Sequence, residues 1–185
     1  MSSNIFHELP IHENSPKSAY MIVENPRGYH GKIEFNKKFG VLMLDRATYA
    51  PMPYPIEYGL IPRSWNKHDD DPMDIMCLSS QHTYPGVVLD VRILGMLKME
   101  DTGEIDHKIF GVVSDDPLYN DIDNLSQIDT HKIKEIEFYF SHYKNLMKDK
   151  YVKILGWGDK DESFDFLKDT IEEYKIHFKD RGGDN

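Results

Sequence analysis

Asp69-Asp70-Asp71-Pro72-Met73-Asp74 crowds four carboxylates into six residues. Carboxylates this close raise one another's pKa unless a cation stands between them. Pro72 has a fixed φ and biases Asp71 away from helix, so the run is an extended or turn segment. Alternate side chains of an extended backbone share a face, which brings Asp69 and Asp71 together, and a turn after Pro72 lets Asp74 join them. An all-oxygen donor set of this density suits a hard cation, Mg²⁺ ahead of zinc or copper. Taken alone, a charge run is more often a solvated loop. Here the apolar Ile75-Met76-Cys77-Leu78 follows at once, so the acids stand at the edge of a rigid strand, where sites can be built accurately.

A second acidic cluster runs from Glu100 to Asp106, ahead of His107-Lys108. Its Asp101-Thr102-Gly103 is good hairpin chemistry, and a plain turn between two strands explains it equally well. Two acidic strand ends could instead meet across one mouth of a barrel. Neither cluster is a calcium loop: Asp69–Asp74 lacks the sixth-position glycine, and in the run from Asp159 that position is Phe164. Lys32 shares a strand face with Glu34, Arg46 follows Asp45, and Tyr143-Lys144 falls on a helical stripe. Each alone is ordinarily a surface cation or a packed aromatic. Tyr54 and Tyr58 are either filler under a proline-rich loop or phenol donors to an anion.

The elements that must hold these groups are short. Strands are predicted at 19–24, 32–35, 41–44, 75–78, 87–97, 108–113 and 151–155, with Gly95 marking a bulge or corner. Residues 1–18 read as a polar arm, and 50–62, with four prolines, as irregular. Ile133, Ile136, Phe140, Tyr143 and Met147 step by three and four along one helix, and Phe164, Leu167, Ile171, Tyr174 and Phe178 along another, ahead of a charged tail. The expected fold is α+β: a closed, OB-like β-barrel flanked by two long C-terminal helices, in one domain spanning 1–185.

The formal charge of −10 argues against nucleic acid or an anionic membrane as partner. The single cysteine, Cys77, permits no internal disulfide, and with neither a signal segment nor a spanning run the expected location is the cytoplasm. No zinc spacing, dinucleotide fingerprint, P-loop or serine-nucleophile elbow occurs.

Asp69-Asp70-Asp71-Pro72-Met73-Asp74 strongly resembles the DxDPxD signature of the soluble family I inorganic pyrophosphatases. The resemblance covers nearly the whole chain, in order and approximate spacing. It includes Glu24, Lys32-Ile33-Glu34, Asp45-Arg46, Tyr54-Pro55 and Tyr58-Gly59, then Asp101, Asp106-His107-Lys108, His142-Tyr143-Lys144 and Tyr151 to Trp157. The length is similar to short prokaryotic members, which assemble as homohexamers. The resemblance implies Mg²⁺-dependent hydrolysis of pyrophosphate to two phosphates by a metal-activated water. It implies that Asp69, Asp74 and Asp106 hold one Mg²⁺, with Asp74 shared by a second. Asp101 and Asp106 would hold an ion that arrives with substrate, and Glu24 would contact another. Asp71 matches the general base. Lys32, Arg46, Tyr143 and Lys144 match phosphate contacts, Tyr58 lies near substrate, and Lys108 matches a further basic residue. Asp70 stands where glycine is common, and Thr102 where some members carry a second acid.

Electrostatics agrees with such a reaction. An acidic site repels a compact polyanion until metal ions invert the local charge, and positioned cations then stabilise charge developing on the leaving phosphate. Two other functions remain in play: a phosphohydrolase acting on nucleotides, for which no base-binding motif is evident, and an acidic metal-binding module, which leaves Lys32, Arg46 and Lys144 without a role.

Overall fold

Period-two burial divides the strands between two apolar layers. On β5 (Asp74–Leu78), Met76 and Leu78 join a layer under Phe140, while Ile75 and Cys77 join another under Leu167 and Ile171. The structure, a computed structural model, describes residues 4–179; residues 1–3 of the expected arm and 180–185 of the charged tail lie outside the described residues. After a single helical turn, α1 (Ile5–Glu8), come β1 (Ser18–Asn25), β2 (Gly31–Asn36), β3 (Val41–Ala47) and β4 (Glu57–Leu60). β5 is followed by β6 (Val88–Asp101), β7 (Glu104–Ile105), β8 (Lys108–Val113), α2 (Thr130–His142), β9 (Val152–Gly158) and α3 (Lys160–His177).

Strand pairing runs β1–β4–β5–β8–β6, and β6 pairs again with β1, so the strands form a mixed sheet ring in which only β5–β8 is parallel. Fourteen-residue β6 is the spine. Its first half pairs with β1, its middle with β8, and its end with β9 and β7. The register shifts between Ile93 and Gly95, the bulge expected there. A Cβ on Gly95 would stand 2.7 Å from the Gly158 carbonyl oxygen, so β9 can approach only a glycine. β2 and β3 form a separate two-stranded ribbon.

The structure refines the expected closed OB-like barrel with two long helices to a mixed ring and one long C-terminal helix. Eighteen-residue α3 starts at Lys160, because Asp159 and Glu162 form a capping box that the apolar stripe alone does not reveal. Thirteen-residue α2, capped by Asp129, stops at His142 rather than continuing to Met147. Tighter turns follow, Asn145 N–H to His142 O and Met147 N–H to Lys144 O, and these lead the chain off the helix axis at Tyr143-Lys144. The proline-rich stretch is not wholly irregular either. Glu57–Leu60 lies between Pro55 and Pro62, keeps every ladder N–H, and becomes the fully buried β4. Among the described residues no helix is long and apolar enough to cross a membrane.

Candidate active site

The acid run is a turn rather than an extended segment. Asn66 and Asp71 form an isolated antiparallel bridge, with the Asn66 N–H 2.7 Å from the Asp71 carbonyl oxygen. Asp70 lies between them in the left-handed region at φ 57°, so the turn is kept although an aspartate replaces the usual glycine. The Met73 N–H donates to Ser64 Oγ at 3.0 Å, which pins the exit into β5. The second cluster is a two-residue hairpin: Asp101 pairs with Glu104, and Thr102 and Gly103 both have positive φ.

These turns and strand ends enclose a cavity of about 260 Å³. Asp69 and Asp71 enter it from the acid turn, Asp74 from the start of β5, Asp101 from the end of β6, and Asp106 with Lys108 from the start of β8. Lys32 reaches in from the ribbon, Tyr58 from β4, and Tyr143 and Lys144 from the turn ending α2. Glu24 lies outside this cavity. It lines an adjoining groove of about 640 Å³ that shares Lys32, Tyr58, Asp71 and Asp74. Its Oε1 accepts the Phe35 N–H of the ribbon at 2.7 Å. Arg46 stands opposite Lys32 in the ribbon register but lines neither space, and its guanidinium is paired with Asp45.

Lys108 organises the centre. Its ammonium lies 2.5 Å from Asp74 Oδ2 and also pairs with Asp106, while Tyr58 Oη donates to Asp74 Oδ2 at 2.5 Å. At the rim, Lys144 pairs with Asp101, Lys37 with Asp71 and Lys32 with Glu34. Burial, with Asp106 and Asp74 close by, pushes the Asp69 carboxyl up to about 8. Burial also raises Asp74 despite its lysine partner, and raises Glu24, which faces Asp74; crowding by the surrounding groups raises Asp71 too, although about half of its side chain stays exposed and Lys37 opposes the shift. Burial acts the same way on Asp106, but Lys108 outweighs it and holds that carboxyl below its ordinary value. Lys108 in turn is held above the usual lysine range, since its two carboxylates outweigh burial. Burial lowers Lys144, which nonetheless has Asp101 as partner.

The donor set fits a hard divalent cation. Asp69, Asp74 and Asp106 present only oxygens, and Asp69 Oδ1 is buried with no hydrogen-bond partner. Among the described residues no group of three or more His, Cys, Asp or Glu side chains is arranged to hold a metal ion, and the Lys108 ammonium is in contact with both Asp74 and Asp106.

Two cations went unread in the sequence: Lys150, which lines the cavity, and Lys37, which pairs with Asp71. Lys37 sits in the β2–β3 turn, where a lysine is normally solvated, and no periodicity connects it to a residue 34 positions away. Lys150 follows Asp149, whose φ of 57° turns the chain back toward the site.

Residues 21–175 match the family model described as inorganic pyrophosphatase. The inorganic pyrophosphatase of Picrophilus torridus is 43% identical over 170 residues, 92% of this chain and 95% of that protein. That of Haloferax volcanii is 34% identical over 175 residues, 95% and 98% of the two chains. Among solved structures, the inorganic pyrophosphatase from Thermus thermophilus superposes with a TM-score of 0.88 at 35% identity, covering 94% of this chain and 99% of that one.

Proposed function

The chain belongs to the inorganic pyrophosphatase family and is an inorganic diphosphatase; from that premise we propose how its residues divide the reaction. The observation that carries the proposal is that acids and lysines together line one cavity of about 260 Å³, a size suited to a compact polyanion. Asp69, Asp74 and Asp106 are the residues to hold one Mg²⁺, with Asp74 shared by a second. Asp101 with Asp106 would hold a further ion that accompanies substrate, and Glu24 would contact another from the adjoining groove. Bound there, Mg²⁺ would offset the charge of the polyanion and lower the pKa of water toward neutrality.

Asp71 accepts the proton of the attacking water as its oxygen adds to one phosphorus and the bridging P–O bond breaks. Lys32, Lys144 and Tyr143 orient the phosphates and stabilise the negative charge that builds on the leaving group. Arg46 suits bidentate contact with phosphate oxygens once substrate draws it from Asp45. Tyr58 and Lys108 hold Asp74 in place through the contacts at 2.5 Å. The working form we propose is a cytoplasmic homohexamer of single-domain subunits spanning 1–185.

Phosphate release from pyrophosphate and from ATP, with Mg²⁺ and then with excess chelator, tests this scheme. Turnover of pyrophosphate alone, abolished by the chelator, is expected. Asp71→Asn should cut that rate by about 10²–10⁴ while the fold survives. Activity within twofold of the parent would remove Asp71 from its role, and full activity in chelator would remove the metal.

A further inference from the structure

We propose that Lys37 is a positioning residue for the reaction, holding the Asp71 carboxylate at a set angle and locking the β2–β3 ribbon against the acid turn. The inference rests on the reading of Asp71 as general base. It starts from an ion pair that burial does not explain. The side chains of Lys37 and Asp71 are 35% and 55% exposed. Such a pair contributes only about 0–1 kcal/mol to stability, so selection for stability is a weak reason for it.

The lysine is nevertheless held at two further points. Asn4 Nδ2 donates to the Lys37 carbonyl oxygen at 3.1 Å, which sets the backbone of the ribbon turn. The Lys37 ammonium lies 4.8 Å from the centroid of the Trp65 ring, within cation–π range. Trp65 is itself fixed. It is 5% exposed, its ring stacks 4.3 Å from that of His177 at the end of α3, and its backbone N–H donates to Thr170 O at 2.8 Å. A lysine seated on an immobile indole has already given up much of the rotamer freedom that a surface ion pair usually costs.

The consequence lies in what the ribbon carries. Lys32, which lines the cavity with Asp71, stands five positions before Lys37 on the same two-stranded unit. The ribbon is also anchored along β2, by Glu24, which accepts the Phe35 N–H two positions before Lys37, and by the Asn25 side chain, bonded to Ile33 N–H and O at 2.8 and 2.9 Å. Lys37 supplies the tie at the turn. It therefore fixes the distance between a phosphate-holding lysine and the proton acceptor, and by engaging Asp71 Oδ1 it leaves Oδ2 to take the proton. Misplacement of reacting groups by about 1 Å can cost on the order of 10²-fold in rate.

Steady-state kinetics of Lys37→Met, Lys37→Arg, Asp71→Asn and the Lys37→Met/Asp71→Asn double variant, each with a thermal unfolding curve, decide the matter. Methionine keeps an unbranched, apolar stem and removes the charge; arginine restores it. The expected result is a kcat about 10–100-fold lower in Lys37→Met, with KM for magnesium pyrophosphate within about threefold of the parent and an unchanged Tm. Arginine should recover most of the rate, and the double variant should be no slower than Asp71→Asn alone, because the lysine acts through that carboxylate. A raised KM at unchanged kcat would make Lys37 a substrate contact and overturn the proposal. So would a kcat within twofold of the parent, a loss that tracks a lowered Tm, or full multiplication of the two losses. If Asp71→Asn itself stays active, the base assignment falls first and this inference falls with it; if only Lys37→Met stays active, this inference alone is lost.

Discussion

Lys108 Nζ stands 2.5 Å from Asp74 Oδ2 where the lysine is 1% exposed, so the centre of this acidic site is built around an internal cation. A buried ammonium needs its carboxylates, and the carboxylates of Asp74 and Asp106 need it in turn.

Lys108→Met should therefore leave two acids without their cation. A loss of about 3–5 kcal/mol in unfolding free energy is expected for the metal-free protein. Added Mg²⁺ should recover more stability in this variant than in the parent. Denaturant curves with and without the ion are the measurement, and a change below about 0.5 kcal/mol would show that Lys108 stabilises nothing.

The Asp69 carboxyl gives a pH dependence with a definite sign. Its pKa rises on folding from the ordinary 3.8 to about 8. The folded state thus holds a proton that the unfolded chain has released, and the stability this contributes is fully present below about pH 4 and lost as pH rises through 8. Asp71, Asp74 and Glu24 are raised as well and act in the same direction. The Tm of metal-free protein should fall between pH 5 and 8, less steeply in Asp69→Asn. Mg²⁺ affinity should rise over that range, because the ion must displace the proton. A flat Tm across the range contradicts this electrostatic account.

Asp70 adopts φ 57° in the acid turn. Left-handed backbone costs a residue with a side chain roughly 1 kcal/mol relative to glycine. Asp70→Gly relieves that cost and removes a negative charge from a crowded turn, though it also frees the unfolded chain. A net gain of about 0.5–1 kcal/mol is expected, with catalysis retained. Thermal unfolding paired with a kinetic assay reads both, and a clear loss of stability would mean that the Asp70 side chain makes a contact of its own.

The proposed assembly can be tested on the exposed face of α2. Phe138 is 58% exposed and stacked 4.2 Å from His142, whereas Tyr139 and Phe140 beside it are buried. Light scattering should report a homohexamer, several times the subunit mass of 21.6 kDa, and Phe138→Glu should lower that mass. A parent species of 21.6 kDa with activity unaffected by dilution would establish a working monomer.

Local chemistry is what the sequence determined by itself. Pro72 after three aspartates, Asp101-Thr102-Gly103, the bulge at Gly95 and the alternating strands all act within a few residues, so their turns and pairing follow from steric and solvation rules alone. Placement was decided only by the tertiary structure. Lys37 meets Asp71 across 34 positions, and Lys144 meets Asp101 across 43, because the ribbon and the end of α2 pack beside the sheet ring and bring their lysines to adjoining parts of the site. Arg46 is paired with its sequence neighbour Asp45, and only the fold leaves that guanidinium outside the cavity. Charges separated by tens of residues carry no periodicity between them. Their pairing, and the burial that lifts Asp69 while Lys108 holds Asp106 down, exist only once the strands have excluded water from between them.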